Sequence, residues 1–157
     1  MFTGDRSGDW LFASLYRTGY ANQPTAVAAG DGLELTGIRL VASVRCAPPG
    51  NAPTADEKAT CAHWLDRDLT LTVASETGLD TIMALGGIAW EAVLKTARRL
   101  GWEVPRPKPK FGHAAEVMLP RPDGGAVRLV GCYHVSPHNT STGRLTQPML
   151  DDVLRSL

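Results

Sequence analysis

The stretch Asp80-Thr81-Ile82-Met83-Ala84-Leu85-Gly86-Gly87, with its continuation to Gly101, decides the reading of the fold. Asp80 to Leu85 is short and apolar, as a buried strand is, and Gly86-Gly87 breaks it. Beyond the glycines, Ala89, Val93, Ala97 and Leu100 recur at helical steps. Glu91 and Lys95 stand four residues apart on the outer face, where an ion pair adds about a few tenths of a kcal/mol. A strand, a glycine turn and an amphipathic helix ending near Gly101 make the opening of a strand–helix–strand unit.

The flanking sequence repeats the theme. Upstream, Leu11, Phe12, Leu15 and Tyr16 line one face of a helix that Ser7 is placed to cap and Gly19 to stop. Leu35 to Val44 is dense enough in Leu, Ile and Val for a strand covered on both faces, ending at Cys46-Ala47-Pro48-Pro49. Thr54 with Glu57 forms a capping box, and the helix it opens is expected to carry Cys61, Trp64 and Leu65 inward. Downstream, Pro105 to Lys110 alternates proline with Arg or Lys and reads as an extended basic loop. Strands follow around Glu116 to Leu119 and Val127 to Tyr133, joined by the turn Arg121 to Gly125. A polar loop from Val135 to Leu145 and a helix with Met149, Leu150, Val153, Leu154 and Leu157 inward close the chain. Apolar strands alternating with helices predict an α/β fold, a three-layer α/β/α sandwich around a mainly parallel sheet. Ligands in such sheets bind beyond the carboxyl ends of the strands, which here carry Cys46, Gly86-Gly87 and His134.

A length of 157 residues fits one domain. Sixteen Lys and Arg balance sixteen Asp and Glu, so no global field gathers a polyanion and any anionic partner must be held by local patches. No stretch approaches the roughly 18 uncharged apolar residues of a membrane span, and the N-terminus has no secretory signal pattern. A cytoplasmic location and a monomer, without a membrane partner, are the expectations. Three cysteines suit thiols or metal ligands better than a disulfide framework.

Several residues have chemistry to offer, each with a plainer alternative. His134 leaves a buried strand into a loop rich in donors and acceptors, where a catalytic imidazole would stand; a strand-end histidine would look the same. Asn139 suits both a contact and a turn. Gly86 and Gly87 bare backbone N–H groups at a helix start, a place for an anion or a polar ring, yet their spacing matches no dinucleotide fingerprint or P-loop. Cys46 and Cys61 offer two metal ligands or two small buried groups, and His63 as a third would leave a zinc site incomplete. Cys132, flanked by Gly131 and Tyr133, reads as core. Arg98, Arg99, Arg106, Lys108 and Lys110 form a basic cluster, the unit of sequence-independent nucleic-acid affinity, or a solvated surface.

Five ordered blocks together resemble the uracil-DNA glycosylases of the iron–sulfur branch, and within it the family 5 enzymes. They are Phe2-Thr3-Gly4-Asp5-Arg6-Ser7-Gly8; Val44-Arg45-Cys46-Ala47-Pro48-Pro49-Gly50-Asn51 with Cys61; Ala84-Leu85-Gly86; Pro107-Lys108-Pro109-Lys110-Phe111-Gly112-His113; and His134-Val135-Ser136 through Asn139-Thr140 to Thr142-Gly143-Arg144-Leu145-Thr146. The resemblance implies hydrolysis of the bond joining uracil to deoxyribose in single- or double-stranded DNA, which initiates base-excision repair. It implies that His134 steadies the departing base, that Phe2 stacks on the flipped base with Gly86 and Gly87 beside it, and that Asp5 positions water or a loop. Asn139, Ser136 and Thr140 would serve the DNA-contacting loop, and Arg144, Lys108 and Lys110 would meet phosphates. Cys46 and Cys61 match the third and fourth thiolate ligands of a [4Fe-4S] cluster that fixes a loop.

Three departures qualify the resemblance. It begins partway through the family's domain, so residues 1–157 read as a single domain lacking the family's first strand and first two cluster ligands, with the start site misplaced or the gene truncated. Gly87 stands where several uracil-specific relatives carry an asparagine, which implies a wider base range that takes in hypoxanthine. Pro137-His138 replaces glutamines expected in the minor-groove loop. The alternatives are a non-catalytic remnant that binds DNA weakly and a zinc-binding interaction module.

Overall fold

The computed structural model describes residues 5–46 and 48–157. The helices are α1 (Arg6–Arg17), α2 (Ala55–Val73), α3 (Gly87–Arg99), α4 (Pro137–Ser141) and α5 (Gln147–Arg155), and the strands are β1 (Thr81–Leu85), β2 (Glu116–Pro120) and β3 (Ala126–Cys132). The chain divides into two compact units, Val41–Gly131 and the paired segments Met1–Leu40 and Cys132–Leu157.

In the unit Val41–Gly131 the sheet order is β1-β3-β2. β2 and β3 are antiparallel, with Glu116 opposite Val130 and Pro120 opposite Ala126. The turn between them is too short for a crossover, so the pair can only be a hairpin. β1 runs parallel to β3, and Arg128 N donates to Asp80 O at 2.8 Å. The class is α/β as expected, and the sheet is mixed rather than mainly parallel. Its core joins Leu65 and Leu69 of α2 with Trp90, Val93, Leu94 and Ala97 of α3 and Leu119, Val127 and Leu129 of the strands. Trp90, only 1% exposed, is the largest of these, and its indole Nε1 donates to Pro109 O at 3.2 Å, so the ring fills the core while its polar edge pins the basic loop.

Several local expectations are corrected. Leu35 to Val44 is not a strand: Leu35 makes an isolated antiparallel bridge to Ala21, and the residues after it stay partly exposed. An apolar, β-branched run forms a strand only when a ladder partner is supplied. Trp64 does not point inward but is 45% exposed, and Leu65, Asp68 and Leu69 are the buried residues of α2. Glu91 pairs with Lys108, at 2.8 Å, instead of with Lys95. The loop after Val135 contains the short helix α4.

The second unit is built on α1 and α5, which pack together. Asp5, not Ser7, caps α1: its Oδ1 accepts from Gly8 N at 2.6 Å. Leu11, Phe12 and Leu15 of α1 are buried, as are Leu150, Val153 and Leu154 of α5. Between the helices lies one buried carboxylate. Asp151 accepts from Ser14 Oγ and from Arg17 Nε and Nη2, the latter two at 2.8 Å, which satisfies a charge that burial would otherwise make costly. No helix among the described residues is long and apolar enough to cross a membrane.

The Arg17 and Ser14 hydrogen bonds hold the Asp151 carboxyl below its ordinary value near 4. A depressed carboxylate stabilises the fold above the unfolded-state value and loses that contribution as pH falls through the folded one. Asp151→Asn should therefore lower stability at pH 7 by about 1–3 kcal/mol, Arg17 being partly solvated. Thermal unfolding from pH 7 to pH 3 should show the gap between wild type and variant closing on the acid side; a pH-independent gap would refute the assignment.

Candidate functional site

The residues that the sequence singles out fall into a group in each unit. In the terminal unit, His134 follows β3 by two residues and is half-buried. Burial lowers its imidazole pKa below the ordinary value, and the charge of Asp5 partly opposes the shift. At neutral pH the ring is therefore uncharged, with one N–H to donate and one nitrogen to accept.

The loop after His134 is held by its own backbone and side chains. Asn139 Nδ2 donates to His134 O at 2.8 Å, and Leu145 N donates to Asn139 O at 3.0 Å. Asn139 thus ties the strand end to the far end of the loop. Ser136 O accepts from Asn139 N and Thr140 N at 3.0 and 3.1 Å, and Pro137 at the start of α4 suits a position whose N–H has no helical acceptor. The Thr140 hydroxyl donates back to Ser136 O and Pro137 O, both at 3.3 Å. Arg144 is exposed and lays its guanidinium 4.6 Å from the Tyr133 ring centroid. That contact presets the direction of its charge and leaves donors at the guanidinium edge for an anion.

In the unit Val41–Gly131, Gly86 precedes α3 with φ 91° and ψ 164°, a conformation essentially reserved for glycine. Gly87 begins the helix, and a Cβ there would stand 3.7 Å from Phe111 Cδ1, an ordinary contact. Phe111 also meets the Trp90 ring edge-on, with centroids 6.1 Å apart. The chain after Phe111 crosses β3 at Gly131. Ala114 N donates to Gly131 O at 2.7 Å, and Gly131 N donates to Ala115 O at 2.8 Å. A Cβ on Gly131 would lie 2.3 Å from Gly112 O, so only glycine fits. Lys108 and Lys110 are exposed on this loop, Lys108 paired with Glu91. Exposed pairs of this kind contribute about 0–1 kcal/mol, a small barrier to exchange for a phosphate.

The thiols differ. Cys46 is exposed, Cys61 half-buried and Cys132 buried, its thiol pushed up to about 12 by desolvation. Cys132 is a core residue, as expected. No group of three or more His, Cys, Asp or Glu among the described residues is placed to hold a metal ion. His63 does not complete such a site, and its Nδ1 meets Thr60 O at 2.8 Å. For a four-iron cluster, which takes four ligands, Cys46 and Cys61 have the right donor chemistry but are half the number, so the described residues do not by themselves fit it.

Phe2 lies outside the described residues. Tyr133, Phe111, Gly131 and Arg45 were not identified from the sequence as site-shaping residues. For Tyr133 and Arg144 the only sequence signal is an aromatic and an arginine at the two ends of one polar loop.

A family model described as the Uracil DNA glycosylase superfamily matches residues 1–157. The chain is 50% identical over 155 residues to a type-5 uracil-DNA glycosylase of Mycobacterium tuberculosis, covering 99% of this chain and 54% of the relative. It is also 50% identical over 155 residues to one of Mycobacterium leprae, with coverage of 99% and 63%. To one of Thermus thermophilus it is 40% identical over 153 residues, with coverage of 98% and 64%. The chain thus spans between 54% and 64% of the length of these relatives.

The imidazole assignment yields a direct titration. By NMR, His134 should titrate below about 6.5, the ordinary value. Asp5→Asn keeps a competent helix cap but removes the charge that favours imidazolium, so the midpoint should fall further. A midpoint unchanged or raised in that variant would refute the coupling.

Proposed function

The chain belongs to the uracil-DNA glycosylase superfamily, and on that premise we propose that it hydrolyses the N-glycosidic bond of uracil in DNA as the first step of base-excision repair. Water adds to the anomeric carbon of the deoxyribose while the bond to the base breaks. Its electron pair departs with the base, and a proton later neutralises the anion. The target base must first leave the stack, which costs a few kcal/mol, about 1–3 of which a stacked ring returns. Phe2 is our candidate for that ring.

The chemistry we assign to His134 is donation of an N–H to the base oxygen on which charge collects. A neutral donor in a partly desolvated place stabilises such a charge more than it would in water. The observation that carries this reading is the half-buried imidazole at the end of a buried strand, its ionisation disfavoured by burial and its carbonyl tied down by Asn139. Asn139 acts through the loop it holds together, with Ser136 and Thr140 shaping the part offered to the minor groove. Arg144, Lys108 and Lys110 are assigned to phosphates, contacts that position DNA without reading its sequence. Asp5 positions rather than reacts, capping α1 and facing the imidazole with its charge. Gly86 and Gly87 are assigned to the base through bare backbone. Lacking a side chain at position 87, the pocket should accept deaminated bases other than uracil, hypoxanthine among them.

Cys46 and Cys61 are proposed as two of the four ligands that a [4Fe-4S] cluster takes. The cluster would fix the loop around Cys46, and no step of the hydrolysis is assigned to it. DNA containing uracil is the proposed partner, and a monomer acting in the cytoplasm is the proposed form.

Two measurements test the reading. His134→Ala should slow cleavage of a uracil-containing duplex, read as alkali-labile strand breaks, by about 10²–10³-fold. Binding of the same duplex should change little; equal rates would overturn the assignment. Gly87→Asn should fold, because its Cβ has room beside Phe111. Its uracil-to-hypoxanthine rate ratio should rise, and an unchanged ratio would remove position 87 from base reading.

A further inference from the structure

We propose that Tyr133 is a positioning residue: its ring fixes the guanidinium of Arg144 before DNA arrives, so that the phosphate contact costs less ordering when it forms. The inference rests on the assignment of Arg144 to a phosphate given above and adds the residue that prepares it. The guanidinium carbon of Arg144 stands 4.6 Å from the centroid of the Tyr133 ring. Tyr133 follows β3 directly and precedes His134, whereas Arg144 stands at the far end of the loop. Arg17 and Arg99 are spent on the carboxylates of Asp151 and Asp66. Arg144 is exposed and rests on a ring instead.

The backbone under both partners is fixed. Cys132 and Val135, which flank Tyr133 and His134, are fully buried, and so is Leu145, which follows Arg144. Leu145 N donates to Asn139 O at 3.0 Å and Asn139 Nδ2 donates to His134 O at 2.8 Å, so one asparagine joins the two ends of the loop. Gly143, with φ 71°, makes the left-handed turn that carries the chain out of α4 to Arg144. What this framework leaves to be settled is the arginine side chain, with its several rotatable bonds. An arginine loose in solvent gives up that freedom when it grips an anion, and one already laid on a ring has given it up beforehand. The ring holds the guanidinium by its face, which leaves the N–H fork at its edge for phosphate oxygens.

The test is a double-substitution cycle on DNA affinity, with the full chain and a short duplex carrying 2′-fluoro-2′-deoxyuridine, which slows breakage of the glycosidic bond and keeps every phosphate. With Arg144 present, Tyr133→Leu should raise Kd by about threefold to tenfold, the cost of ordering one such side chain. On an Arg144→Gln background the same change should leave Kd where it is, and whatever else the ring touches cancels between the two arms. Salt separates poor positioning from a lost contact. Arg144→Gln should reduce the slope of log Kd against log salt by about 0.9, one phosphate, whereas Tyr133→Leu should keep the parent's slope. Tyr133→Phe retains the ring and should bind as the parent does. Should Tyr133→Leu fail to fold, as judged by its thermal transition, pentafluorophenylalanine at position 133 keeps the outline of the ring, reverses the charge of its face and should weaken binding to the same degree. An equal effect of ring removal on both backgrounds, or an Arg144→Gln chain that binds like the parent, would overturn the proposal. Release of uracil from an unmodified substrate is scored apart: coupling without release sustains the positioning role and sinks the glycosylase reading, and release without coupling does the reverse.

Discussion

The approach of two backbones at Gly131 is the constraint from which the geometry of the larger unit follows. The carbonyl of Gly112 occupies the space a side chain would need, and hydrogen bonds from Ala114 and to Ala115 lock the crossing. Phe111 is thereby seated against Gly87 and Trp90, and the proline-rich segment before it is tied through Pro109 to the indole of Trp90. A basic loop that would otherwise be a solvated extended chain acquires a fixed path over the start of α3. The lysines on it inherit that path, which means that their positions depend on packing rather than on their own weak ion pairs.

Arginines over aromatic rings recur in this molecule and do different work. Arg144 against Tyr133 is exposed, so its charge stays open to an outside anion. Arg45 against Trp64 is spent on a buried carboxylate and holds chain to helix. The same pairing of planar cation and ring thus orients a contact in one place and organises a loop in the other. What separates them is the neighbour: a buried carboxylate claims the guanidinium, and where solvent lies instead, it remains available.

The elements that were legible in the sequence are those whose own periodicity decides them. α3 was readable from Val93 and Ala97, α5 from Leu150, Val153 and Leu154, and the β2–β3 pair from its turn. Leu35 to Val44 has the composition of a strand and does not form one, because hydrophobicity states an appetite for burial without naming the partner that satisfies it. The outward face of Trp64 and the pairing of Glu91 with Lys108 were hidden for a related reason: both are settled by residues 17 or more positions away. Among the site residues, His134 and Gly86 were readable from where they stand relative to β3 and α3. The carbonyl tie from Asn139 and the exclusion at Gly131 depend on the path of the chain in space, which local spacing does not encode.

The three cysteines occupy surroundings so unlike one another that oxidants should meet them as different chemical species. A thiol held near 12 carries almost no thiolate at neutral pH, and the thiolate is the form that peroxides and alkylating agents attack. Damage should therefore gather on Cys46, exposed to solvent, and spare the interior strand that carries Cys132. The framework beneath stays chemically intact, so damage that stops at a sulfenic acid or a disulfide is open to repair by reduction rather than requiring the chain to be made anew.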